Sequence, residues 1–70
     1  MTDPTFYQRR IAEKTSEVDP RHVEAWMRLE HPTLDGLSAP EFEREVDLAV
    51  AAIAIAGPTE SEALAASFGL

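Results

Sequence analysis

No cysteine occurs in the 70 residues, which excludes a disulfide framework and any thiolate metal site. Glycine numbers only three, and no Gly-rich loop of the kind that cradles phosphate precedes any helical segment. Long apolar runs are missing as well. The longest, Leu48 to Ala56, has 9 residues, whereas a helix needs about twenty to cross a bilayer. The opening ten residues contain no apolar stretch of signal-peptide length. These absences lead us to expect a soluble cytoplasmic protein, with no disulfide or thiolate-bound metal to reinforce a small core. A core of this size rarely yields more than ~3–5 kcal/mol, so regular helix packing or association has to make up the difference.

Basic side chains are scarce in one half only. Residues 1 to 30 set Arg9, Arg10, Lys14, Arg21 and Arg28 against Asp3, Glu13, Glu17, Asp19, Glu24 and Glu30, and are nearly neutral. Beyond residue 30, Arg44 stands alone against Asp35, Glu41, Glu43, Glu45, Asp47, Glu60 and Glu62, so almost all of the net charge of −7 lies there. A surface of that sign repels phosphate backbones and anionic lipid and attracts basic partners. Direct nucleic-acid or membrane binding is therefore not expected.

What is present is a set of helix starts. Proline placement divides the chain into four segments, with Asp3-Pro4 and Asp19-Pro20 each pairing a capping carboxylate with a proline at the first helical position. The first segment is expected to run to about Ser16 and the second to about His31, where Pro32 disfavours further helix. Leu34-Asp35-Gly36-Leu37 reads as a turn, with Asp-Gly tolerant of positive φ. Ser38 with Glu41, and Thr59 with Glu62, have the spacing of capping boxes and open a third helix over residues 39 to 56 and a fourth reaching about Phe68. The fold expected is an all-α, single-domain bundle of about four short helices, the third longest and central, with residues 1 to 18 a loosely docked N-terminal helix.

In the third segment Phe42, Val46, Ala49 and Ile53 fall on one helical arc, while Leu48 and Ile55 fall nearly opposite. A helix apolar on two sides must run through the centre of the bundle or cover its second side with another chain. Glu41 and Glu45 flank the first arc on one side, Glu43 and Asp47 on the other. The pattern suits a partner with Lys or Arg on its edges, although Arg9, Arg10 and Lys14 are also on hand as internal counter-charges. Val23, Trp26 and Met27 make a core face on the second helix, with Trp26 expected near the centre. Leu64, Phe68 and Leu70 are expected to close the core from the end of the chain.

Signals for chemistry are weak. His22 and His31 lack the spacing of a zinc-binding pair, and no catalytic, cofactor or metal site is expected. Residues 61 to 70 have the small residue, Ala65, and the turn glycine, Gly69, of a helix-turn-helix entry. The helix that reads DNA in such a motif would follow that glycine, and only Leu70 does.

Across Asp19 to Leu37, with Asp-Pro-Arg-His-Val-Glu-Ala-Trp-Met-Arg-Leu-Glu-His and Thr-Leu-Asp-Gly-Leu-Ser, and at the terminal Ala-Ser-Phe-Gly-Leu, the chain resembles small helical proteins of actinobacteria and their phages. The resemblance implies a compact, phage-type accessory protein. His-Pro-Thr-Leu-Asp-Gly-Leu-Ser-Ala-Pro-Glu-Phe is also similar to the toxin-binding region of Xre-type antitoxins, departing from it where Glu43, Arg44 and Glu45 interrupt the aliphatic continuation. The expected function is non-catalytic protein binding through residues 39 to 56, with Glu41, Glu43, Glu45, Asp47, Leu48 and Ile55 as partner-binding residues. The alternatives are self-association into a homo-oligomer and an acidic DNA mimic that fills a basic groove.

Overall fold

The computed structural model describes residues 5 to 70, forming α1 (Phe6–Lys14), α2 (Pro20–Glu30), α3 (Ala39–Ala56) and α4 (Pro58–Ser67). There is no strand among the described residues, and the protein is an all-α bundle. None of the helices is long and apolar enough to cross a membrane. The Asp3-Pro4 start lies outside the described residues.

Two helix starts form as their residues dictate. The Asp19 carboxylate accepts from the Arg21 backbone N–H at 2.9 Å with Pro20 behind it. At α3, Ser38 Oγ accepts from the Glu41 N–H while the Glu41 carboxylate accepts from the Ser38 N–H, closing a reciprocal box. The Thr59–Glu62 box does not form. Gly57, at φ 90° and ψ 167°, is the N-cap of α4 and Pro58 takes the first helical position. Thr59 is therefore already inside the helix, where its hydroxyl cannot cap, and the Glu62 side chain is turned toward α2. Gly36 does not adopt positive φ; among the described residues Gly57 and Gly69 do. Helix α1 stops at Lys14, short of Ser16, because Thr15 becomes extended as the chain turns to lay Val18 against the core.

The central element is α2, not α3. Helices α1, α3 and α4 all pack on α2, and it buries His22, Val23, Glu24, Ala25 and Met27. Such a run is tolerated because its polar members have partners. Glu24 accepts from Arg28 Nε at 2.7 Å and from Gln8 Nε2 at 3.3 Å, and His22 is bonded to Glu62. No buried side-chain nitrogen or oxygen among the described residues lacks a hydrogen-bond partner. With α2 enclosed, α3 lies along the flank. It buries Phe42, Val46, Ala49 and Ile53 and leaves Leu48 57% and Ile55 89% exposed.

The apolar core joins Ile11 of α1, Val23 and Met27 of α2, Leu34 of the turn and the inward arc of α3. Helix α1 is seated by fully buried Ile11, by Tyr7 stacked on Phe42 and hydrogen-bonded to Asp35, and by the Arg10 guanidinium 3.9 Å from the Phe42 ring centre. Helix α4 buries only small side chains, Ser61 and Ala65. Leu64 and Leu70 are half-buried and Phe68 is exposed, so these three do not close the core. Trp26 is likewise only half-buried, lying at the core's edge with its indole Nε1 donating to Ser61 Oγ at 3.0 Å. That bond requires a small hydroxyl residue facing α2, which directs the Ser61–Ala65 side of α4 inward and turns its larger side chains out.

Candidate interaction surface

Trp26 and Leu29, three residues apart on α2, share a flank beside the Val23–Met27 core face. Across from them α3 presents Leu48, Ala49 and Ala52. Alanine at two of these positions leaves the space between the helices unfilled, and a groove of about 400 Å³ results, lined by Trp26, Leu29, Leu48, Ala49 and Ala52 with Glu30, His31 and Glu45 at its polar end. His31 Nε2 lies 3.4 Å from the Glu45 carboxylate there. Leu29, 54% exposed, and Leu48 thus open to water within a single concavity.

On the other side of Trp26 and Leu29, a shallower hollow of about 360 Å³ is completed by Glu60, Ala63 and Leu64 of α4. Both concavities share the same two α2 residues, so the apolar surface runs from α3 across α2 to α4. Its charged members, Glu30, Glu45 and Glu60, are all acidic, and neither hollow is lined by a lysine or arginine.

The six residues expected to bind a partner do not share one face. Glu45 and Leu48 line the groove. Ile55 continues the Leu48 side of α3 two turns further on and is almost wholly exposed. Glu41 is engaged in the Ser38 box, which holds its carboxyl below the ordinary value through hydrogen bonds from the Ser38 hydroxyl and backbone. Glu43 and Asp47 lie on the α1 side of the helix, Glu43 beside Arg10 and Lys14 and Asp47 3.6 Å from the Lys14 ammonium. One internal cation, Lys14, therefore pairs with that acidic row, and Arg10 shares the hollow beside Glu43. Helical spacing assigns Trp26 to the core face of α2 and leaves Leu29 beside it, and that offset is the one local sign that Leu29 faces a groove.

A second polar cluster joins α2 to α4. His22 Nε2 is 2.7 Å from Glu62 Oε2 and 3.9 Å from Asp19 Oδ2, and one ligand atom from each of the three residues falls within 4.8 Å of the others. These are the side chains most able to hold a metal among the described residues. Arg21 Nη2 already donates to the same two carboxylate oxygens, at 3.0 and 2.9 Å, so a guanidinium supplies the positive charge. The Glu62 carboxyl is held below its ordinary value of 4.5 by the His22 hydrogen bond first, then, against partial desolvation, by Arg21. Burial pushes Asp19 up, but the Arg21 hydrogen bonds and charge outweigh it and leave the carboxyl below 3.8. The cluster is consistent with a clamp between helices.

No family profile, no curated protein and no solved structure matches this chain.

Proposed function

We propose that this protein is a non-catalytic binding module that docks a partner protein of basic character in the groove between α2 and α3. The observation that carries the reading is the placement of Leu29 and Leu48, each more than half exposed, in one concavity beside Trp26 whose titratable lining is two carboxylates and His31. Leucines left open at the rim of a formed groove make an anchor site, and an acidic rim steers a basic partner toward it. The contact surface of this proposal shifts from the acidic borders of α3 to its α2-facing side, because Lys14 and Arg10 occupy the opposite border. An accessory role of the phage type, in the cytoplasm, fits a small acidic module without cysteine.

The test compares wild-type protein with a Leu29→Ala/Leu48→Ala variant and with a Glu43→Ala/Asp47→Ala variant. Proteins retained from an extract of the native host are purified, and binding is then measured pairwise by calorimetry. Loss of binding in the leucine variant, with helicity intact and the carboxylate variant unaffected, supports the groove. Equal binding by the leucine variant refutes it.

A further inference from the structure

Resting on the groove reading above, we infer that the segment taken up is an amphipathic helix with an apolar stripe bordered by lysine or arginine. The groove's shape is the first argument. Its walls are two helices, and on α3 the positions Leu48, Ala52 and Ile55 follow i, i+4, i+7 spacing, a continuous side about 10 Å long at 1.5 Å per residue. A helix laid along that side meets α2 and α3 at once, packing its own i, i+4 ridge between theirs.

The backbone gives the second argument. No strand exists among the described residues, so there is no sheet edge for an extended peptide to join. Trp26 is the only aromatic side chain lining either hollow, whereas proline-rich peptides dock on aromatic-lined grooves. Among the recurring modes of peptide recognition, helix-in-groove is the one this surface suits.

Charge decides between a foreign helix and a second copy of this chain. A two-fold dimer built on the groove would bring Glu30, Glu45 and Glu60 against the same residues of its mate, in a protein whose net charge is already −7. With no lysine or arginine lining either hollow, such a dimer has only His31 within them and the exposed Arg44, one helical turn before Leu48, to answer three carboxylates. A helix with basic flanks places cations opposite each carboxylate while its apolar stripe covers Leu29 and Leu48.

The test uses three tryptophan-free peptides of about 18 residues, long enough to hold helix when docked. One has a leucine stripe with Lys and Arg flanks, the second the same stripe with Glu flanks, and the third the composition of the first in scrambled order. Trp26, the sole tryptophan, is the reporter. The cationic amphipathic peptide is expected to bind saturably, shift Trp26 emission, and weaken roughly tenfold or more in Leu29→Ala/Leu48→Ala. Glu30→Lys/Glu45→Lys should also weaken it, and the other two peptides should bind far more weakly.

No binding of the first peptide, or equal binding of the scrambled one, overturns the inference. So does a dimer in sedimentation equilibrium that Leu48→Ala dissolves, since the occupant would then be a second copy. Where a purified host partner needs Leu29 and Leu48 but is not displaced by the cationic peptide, the helix inference fails and the groove reading stands. Where the partner needs neither leucine, both fail.

Discussion

Ser61 shows how much a single small residue decides in this protein. Its hydroxyl accepts from Trp26 Nε1 and donates to the Gly57 carbonyl at 2.9 Å, while its side chain is fully buried between α2 and α4. Ser61→Ala leaves the buried part of the indole without an acceptor and is expected to cost about 1–3 kcal/mol in urea unfolding, with a change in Trp26 emission. An unchanged midpoint would mean that water replaces the hydroxyl at no cost. Glu62, one residue on, carries a pH dependence. Its folded carboxyl titrates below the unfolded value of 4.5, so the stability it confers is present above that value and is lost as pH falls through the folded one. Glu62→Gln should therefore flatten the decline of the urea midpoint as pH falls below the unfolded value of 4.5. A parallel decline in the variant would assign the acid sensitivity to other carboxylates.

Among elements, the two ends of the short connection between α3 and α4 are made differently from the start of α3. Gly57 sits at φ 90° and ψ 167°, a region that side-chain-bearing residues rarely adopt, although no atom beyond its two chain neighbours lies within 4 Å of where a Cβ would stand. Gly57→Ala is thus expected to cost about 1–3 kcal/mol through backbone strain alone. Thermal unfolding also separates the two proposed capping boxes. Ser38→Ala should lose about 0.5–2 kcal/mol as a true N-cap, whereas Thr59→Ala should stay within about 0.5 kcal/mol as an ordinary exposed helical position. A larger loss at Thr59 would restore the box that the spacing suggests and the structure does not form.

At the scale of the whole molecule, two isoleucines mark the difference between what holds the bundle and what faces outward. Ile11 is 0% exposed and links α1 to the common core, while Ile55 is 89% exposed. Ile11→Ala is expected to cost about 2–5 kcal/mol, enough to unfold much of a domain this small. Ile55→Ala should leave the urea midpoint within about 0.5 kcal/mol of wild type. Similar losses at both positions would place Ile55 in a self-made interface. The radius of gyration of the described residues, 11.0 Å, is close to the ~11 Å that scaling gives for a compact chain of this length.

Much of this organisation is legible from local spacing, and what escapes is long-range. Asp19-Pro20 and Ser38-x-x-Glu41 announce their helices because a cap acts over two or three residues. The two apolar sides of α3 follow from helical periodicity in the same way. Glu62 looks like half of another box until His22, 40 residues earlier, takes its carboxylate. Trp26 looks central until Ser61, 35 residues later, draws its indole to the edge of the core. Leu29 and Leu48 give no sign in sequence that they share a groove.

By itself, then, the sequence determined four helices, most of their boundaries, an acidic second half and the absence of any thiol chemistry, since all of these arise from composition or from contacts within about one helical turn. Only the tertiary structure decided that α2 and not α3 occupies the middle. The physical reason is polar burial: a helix carrying His22 and Glu24 is enclosed only where Glu62, Gln8 and Arg28 meet them, and the first two of these come from other helices.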